Sequence, residues 1–335
     1  MKILTVLIPA YNIEKYVDRV LHSVLLPEVE KTVEVLLIND GSTDHTGERA
    51  ERYRTDHPNF RVITQKNGGH GSAVNRGLQE ASGKYIKILD GDDLFAREAY
   101  LSMITQLSKV EADLILTPYY KIDVTSKRKR LMYYPGIVSE QICLFSDISE
   151  KLGRLYMQGV AFRTDIFRYN HIRMSENCYY DDFEFTFFPL PYIKTVYYIH
   201  HPVYRYFIGR IGQSISAKKA FQNLDMLDRI LEDSLHFWRE RECDTSKFYL
   251  VKKRNISSLM NNIANVYLRN AFDGAKYDTF REAWSRLEEN YPTETVQTME
   301  SFRHIRIAKA NRAAYYGVAL IFRAYKKMEG IFRYE

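Results

Sequence analysis

Tyr85-Ile86-Lys87-Ile88-Leu89-Asp90-Gly91-Asp92-Asp93 decides how this chain is read. Tyr85 to Leu89 reads as a buried apolar strand, and the five residues Leu89 to Asp93 hold three carboxylates. A charged cluster at the C-terminal edge of a strand lies where open α/β sheets bind ligands. Three like charges so close repel one another, so something cationic belongs among them. Asp-x-Asp with a divalent ion is one way to hold a nucleotide diphosphate, because oxygen ligands suit Mg²⁺ or Mn²⁺. The same residues also suit an ordinary loop in which Asp93 caps a helix from Leu94 onward.

The flanking sequence alternates strand and helix patterns. Ile3 to Ile8 is an apolar strand ended by Pro9, and Glu14 to Leu26 spaces Tyr16, Val17, Val20, Leu21 and Val24 as a helix does. Strands follow at Val33 to Ile38, Phe60 to Thr64 and Asp113 to Thr117, with helices at Thr43 to Tyr53, Ser72 to Ala81 and Ala96 to Lys109. Short continuous apolar strands between amphipathic helices predict a mostly parallel sheet covered on both faces. Turn chemistry closes three of the strands, at Pro9-Ala10-Tyr11-Asn12, Asn39-Asp40-Gly41-Ser42 and Asp90-Gly91-Asp92-Asp93. Those loops should share one edge of the sheet and build one site.

Four ordered motifs carry a resemblance. They are Ile8-Pro9-Ala10-Tyr11-Asn12; Leu37-Ile38-Asn39-Asp40-Gly41-Ser42-Thr43-Asp44; Asn67-Gly68-Gly69 with Ala73-Val74-Asn75-Arg76-Gly77; and Leu89-Asp90-Gly91-Asp92-Asp93. In this order and context the chain resembles the family 2 glycosyltransferases of the GT-A fold, over residues 3 to 120 and more weakly to 216. The resemblance implies a Rossmann-like α/β domain with a nucleotide-sugar donor and a divalent metal, Mn²⁺ or Mg²⁺. It implies that Pro9, Tyr11 and Asn12 line the base pocket and that Asp40 accepts the N3–H of uracil, a task for a group that only accepts. Asn39 departs from the more usual Asp. Asp90 and Gly91 would lie near the ribose, with Asp90 and Asp92 at the metal, which would neutralise the diphosphate. Asp93 would orient its neighbours or cap the next helix. Lys66 to Ser72 resembles a glycine-rich phosphate loop feeding a helix N-terminus. Asn67 and Gly71 belong to it as a mobile cover over the donor, and His70 reads as a solvent-exposed or hydrogen-bonded loop residue.

A second chemical centre opens at Ser175-Glu176-Asn177-Cys178-Tyr179-Tyr180-Asp181-Asp182, ahead of an apolar helix from Phe183 to Phe188. It resembles the Glu-Asp motif of the same family, with Asp181 in place of Glu and Asp182 as the expected catalytic base. A base opposite the departing diphosphate gives inversion by direct displacement. Two acids at a helix N-terminus are also favoured electrostatically. Further on, Arg210 or Arg205 could clamp the diphosphate with a planar guanidinium. No His occurs between Val203 and Ser216, and His200 and His201 read as structural residues at a strand end, so the metal would have fewer protein ligands.

Length and composition allow this. A chain of 335 residues can hold a catalytic domain, 1–216, and a helical extension, 217–335. Donor binding falls in about 1–117 and the acceptor and base region in about 118–216. Cys143, Cys178 and Cys243 match no metal spacing and read as free thiols in a reducing compartment. Lys2 leads straight into a strand, which does not look like a signal peptide. No apolar run approaches the ~20 residues of a membrane helix. The end of the chain, Arg303 to Glu335, holds eight Lys/Arg and two Glu among aromatic residues. Such a helix can pack on the catalytic domain with a solvated basic face, or lie on an anionic membrane. Nucleic-acid binding lacks a recognisable module.

The expectation is an inverting, metal-dependent glycosyltransferase, of hexosyl- or N-acetylhexosaminyltransferase type. It would use a UDP-sugar to extend a glycan or lipid-linked acceptor in bacterial surface polysaccharide synthesis, in the cytoplasm or peripherally at the inner membrane face. The alternatives are a catalytically silent sugar-nucleotide-binding scaffold and, with less support, a sugar-1-phosphate nucleotidylyltransferase.

Overall fold

A computed structural model describes residues 2–210, 217–241 and 245–331. They form two compact units, Met1–Gly209 and Arg210–Glu335.

The first unit is built on β1 (Leu4–Ala10), β2 (Val33–Asp40), β3 (Phe60–Gln65) and β4 (Tyr85–Ile88). These pair in parallel in the order β3-β2-β1-β4. Every residue of β1 and β2 is buried, as their unbroken apolar runs require of strands covered on both faces. The covering helices are α1 (Val17–Val24), α2 (Thr46–Glu51), α3 (His70–Glu80) and α4 (Arg97–Leu107). α1 turns Val17, Val20, Leu21 and Val24 inward, one apolar stripe at helical spacing. Burying such side chains stabilises the fold by roughly 1.5–3 kcal/mol each.

Beyond β4 the sheet departs from the sequence expectation. The fifth predicted strand does not lie beside β4. It forms two ladder neighbours away. The strands after β4 are β5 (Leu94–Phe95), β6 (Leu114–Leu116), which is that fifth predicted strand, β7 (Tyr119–Asp123), β8 (Lys129–Met132), β9 (Ile142–Leu144), β10 (Val160–Arg163), β11 (Thr195–Tyr198) and β12 (Tyr204–Ile208). Among the described residues the main sheet continues from β4 as β10-β6-β11-β9, with β10 antiparallel to both β4 and β6. Lys87 is one reason β10 sits there. It is fully buried in the middle of β4, and its ammonium donates to Gln158 O and Val160 O, each at 2.9 Å. A second sheet runs β5-β12-β7-β8. Shorter helices α5 (Phe145–Ile148), α6 (Thr164–Tyr169) and α7 (Asp181–Phe187) complete the unit.

The second unit is helical, as the sequence predicts: α8 (Ala217–Gln222), α9 (Leu224–Arg239), α10 (Thr245–Arg269), α11 (Tyr277–Asn290), α12 (Pro292–Ser301), α13 (Arg303–Ala310) and α14 (Arg312–Ile331). α9 buries Leu227, Ile230, Leu231, Leu235 and Trp238, the residues its periodicity marks. Tyr315 belongs to the basic tail. It is fully buried, stacked on Phe280 at 5.2 Å, with its hydroxyl donating to Ala275 O at 2.7 Å. Cys243 and residues 332–335 lie outside the described residues.

Candidate active site

The loops that leave β1, β2 and β4 share the C-terminal edge of the sheet, where α/β folds bind ligands. Each is fixed to the next. Asn12, in a left-handed backbone conformation, accepts the Thr43 N–H at 2.8 Å, and its own N–H donates to Ser42 Oγ at 3.1 Å. Asn12 therefore joins the first two loops. Asn39 accepts the Ser42 N–H at 3.1 Å. Pro9 is buried beneath, and Tyr11 stands exposed above the loop. Gly91 lets the third loop close on the first, since a Cβ there would fall 3.1 Å from Pro9 O and 2.6 Å from Ile13 Cδ1.

Asp40 is buried, and its carboxylate accepts the N–H groups of Gly68, at 3.1 Å, and Gly69, at 2.8 Å, besides Gln65 Nε2 at 2.8 Å. Asn67 Nδ2 adds a bond to Asp40 O at 2.9 Å. On the other side Gly68 O accepts the Asn177 N–H at 2.7 Å. The glycine loop is thus tied from both sides, by Asp40 and by Asn177. Gly71 is packing rather than lining. A Cβ there would lie 2.1 Å from Ser175 O, so only glycine lets α3 approach that segment.

The third loop carries the acids. The Tyr204 hydroxyl lies 2.9 Å from Asp93 Oδ2 and 3.1 Å from Asp90 Oδ2, and it accepts the Asp90 N–H at 3.1 Å. Asp93 is fully buried and also accepts the Phe207 N–H at 2.8 Å. It anchors β12 instead of capping α4, whose preceding residue is Ala96. Burial first, then the charges of Asp90 and Asp92, hold the Asp93 carboxyl well above the usual carboxylate range. The loop therefore already carries more negative charge than it can hold ionised. Asp90 and Asp92 are half-buried oxygen donors one residue apart. That donor set fits a hard divalent cation. Arg19 supports the loop from below, donating to Asp92 O at 2.7 Å.

The base motif reaches this loop through His70. Its Nδ1 lies 2.7 Å from Asp181 Oδ2, and its Nε2 lies 3.5 Å from Asp90 Oδ1. Burial alone would lower the His70 pKa, but Asp181 and Asp90 outweigh it and hold the ring well above the ordinary histidine value. His70 is neither free in solvent nor remote from the chemistry, and sequence reading gave it no site role. Asp182 follows Asp181 in the first turn of α7, behind Tyr180, whose backbone is left-handed. Burial pushes the Asp182 carboxyl up to about 6, with Arg154 and His70 opposing and Asp181 and Asp90 adding to it. Among the described residues its carboxylate takes no hydrogen bond. Glu184, fully buried one turn on, fixes the helix start by accepting the Ser175 N–H at 2.6 Å and the Ser175 hydroxyl at 2.8 Å. Arg154 is a second functional candidate that sequence reading missed. It lies in a loop without a motif, and its guanidinium sits 5.2 Å from the Phe183 ring centroid. Arg210 is half-buried and opens the second unit, and residues 211–216 after it lie outside the described residues.

The family described as "Glycosyl transferase family 2" matches residues 5–175, more than half of the chain. The chain belongs to this family. A glycosyltransferase of Mycoplasma pneumoniae is 30% identical over 217 residues, covering 63% of this chain and 69% of that protein. A teichoic acid poly(glycerol phosphate) polymerase of Staphylococcus epidermidis is 25% identical over 92% of this chain, which spans only 40% of the polymerase. The fold matches that of S. aureus TarS 1–349 in complex with UDP-GlcNAc, with a TM-score of 0.62 and 18% identity over 97% of this chain and 92% of the other. The family 2 glycosyltransferase thus has the GT-A architecture its sequence motifs imply, followed in the chain by a helical region.

Proposed function

We propose that this family 2 glycosyltransferase moves a sugar from a nucleotide sugar, of the UDP class, to a hydroxyl of a glycan or lipid-linked acceptor with inversion at the anomeric carbon. The setting we propose is bacterial surface polysaccharide synthesis. The observation that carries the reading is the His70 joint, which sets the Asp181-Asp182 pair against the Asp90 loop. Asp181 is occupied by His70, so the proton-accepting role falls to Asp182. A carboxyl at about 6 is ionised near neutral pH yet basic enough to take the acceptor's hydroxyl proton. Attack then comes from the face opposite the departing diphosphate. A divalent ion held by Asp90 and Asp92 would supply counter-charge to that diphosphate. The glycine loop, fixed by Asp40, offers backbone on the other side. The UDP-GlcNAc complex of the structural neighbour supports the donor class, and the teichoic acid polymerase relative supports the acceptor class.

The test is a thermal-shift screen of UDP-, GDP- and dTDP-sugars with Mn²⁺, followed by turnover of the best binder. UDP-sugars should raise the melting temperature most. Asp92→Asn should make UDP affinity insensitive to Mn²⁺. Asp182→Asn should keep donor binding while lowering turnover by roughly 10²–10⁴, with a smaller effect from Asp181→Asn. Full turnover in Asp182→Asn, or no turnover of any UDP-sugar by the wild-type chain, would defeat the proposal.

A further inference from the structure

A second group of metal-ligating side chains lies at the far end of the sheet order, beyond β10 and β6. Glu140, His200 and His201 each present a ligand atom, and these atoms lie within 4.8 Å of one another. We propose that these three residues bind one divalent transition-metal ion of the zinc class, which staples edge strand β9 to β11.

The donor set is the first reason. Two imidazoles and a carboxylate suit zinc, with water completing the shell, whereas hard ions such as Mg²⁺ prefer oxygen alone. The spacing is the second. Ligand atoms at 2.0–2.1 Å from a tetrahedral ion stand about 3.3 Å apart. His200 Nδ1 and Glu140 Oε1 are already 3.2 Å apart, and the His200 and His201 rings are neighbours, tilted by 36° with centroids 4.2 Å apart. The His201 ligand atom lies within 4.8 Å of both, so the set closes with a shift of at most about 1.5 Å.

The backbone supplies the third reason. Glu140 occupies the left-handed region at φ 59°, a conformation that costs a non-glycine residue energy. Its N–H is bonded to Tyr198 O at 2.8 Å, which holds the carboxylate beside the chain that leads into the two histidines. Such strain persists only where the surroundings fix it. The staple also has something to hold. β9 is three residues long and, among the described residues, pairs only with β11, and its Ile142 and Leu144 are half exposed, so burial contributes little there.

The experiment uses tag-free, full-length protein stripped with chelator. It is kept in excess Mg²⁺ to occupy the carboxylate loop and titrated with Zn²⁺ against a chromophoric competitor. One Zn²⁺ per chain is expected. Affinity should fall at least tenfold in Glu140→Gln and in His201→Asn and stay unchanged in Asp92→Asn. Zn²⁺ should raise the melting temperature of the wild-type chain more than that of either variant. Glu140 is exposed, so Glu140→Gln without metal should melt with the wild type, which separates lost binding from lost folding. Absence of Zn²⁺ binding, equal affinity in Glu140→Gln, or loss of the ion in Asp92→Asn would each overturn the proposal.

Discussion

Asp182 meets two opposing demands. Burial raises its pKa from the ordinary 3.8 to about 6, so the carboxylate that accepts a proton is also a charge the fold would rather not carry. Two consequences have opposite signs. Turnover should climb as pH rises through about 6 and then level off, because only the ionised form accepts the proton. Stability runs the other way. A carboxyl whose folded pKa is raised contributes stability below its unfolded value, and this is lost as pH rises through the folded one. Asp182→Asn should therefore melt higher than the wild-type chain at pH 8 and level with it at pH 4. Equal melting at both pH values would show that Asp182 is not held in a desolvated place. His70 is part of the same balance, since its positive charge lowers the Asp182 pKa.

Strands and loops that read locally were legible. β1, β2 and β4 follow from apolar runs, and the loops behind them follow from Pro9, Asp40 and Asp90, because strand ends and turn residues are near one another in sequence. The antiparallel insertion of β10 was not legible, since its four residues carry no period and their place is set by pairing with β4. The role of His70 was hidden for the same reason. Its partner Asp181 is 111 residues away, and no local pattern announces that contact. Lys87 was read as part of an apolar run, yet its ammonium binds the turn before β10. Burial lowers its pKa from 10.5 to about 7. Between those values the unfolded chain binds more protons, so this residue makes stability rise with pH. The difference in unfolding free energy between the wild-type chain and Lys87→Met should thus shift in favour of the wild type from pH 7 to pH 10. Parallel urea titrations across that range would contradict a Lys87 ammonium whose pKa burial lowers.

The helical unit ends in two helices that expose both apolar and basic side chains. Among the described residues no helix is long and apolar enough to cross a membrane. α13 and α14 bury Ile305, Ala308 and Tyr315 but leave Ile307, Leu320 and Ile321 exposed. Exposed Arg306 and Arg323 lie on the same two helices. We propose peripheral contact with an anionic surface through this face, each basic residue contributing about 1 kcal/mol, screened by salt. Deleting the tail would remove Tyr315 from its core, so the informative variant is Leu320→Ser with Ile321→Ser. It should keep UDP affinity and lose sedimentation with anionic vesicles at low salt. Wild-type protein that ignores such vesicles would end the proposal.

The first turns of α3 are a seam in the catalytic unit. His70 meets Asp181, Gly71 meets Ser175, and Asn75 accepts the Met174 N–H at 2.8 Å while its amide reaches Met174 O at 2.9 Å. Those partners come from the half of the unit expected to face the acceptor, while α3 belongs to the half expected to hold the donor. For anyone recombining relatives to change acceptor, the two halves are not interchangeable parts. A graft that replaces residues 118–209 inherits a foreign edge at 174–181. It should stay functional only when the graft also brings residues that fit His70, Gly71 and Asn75.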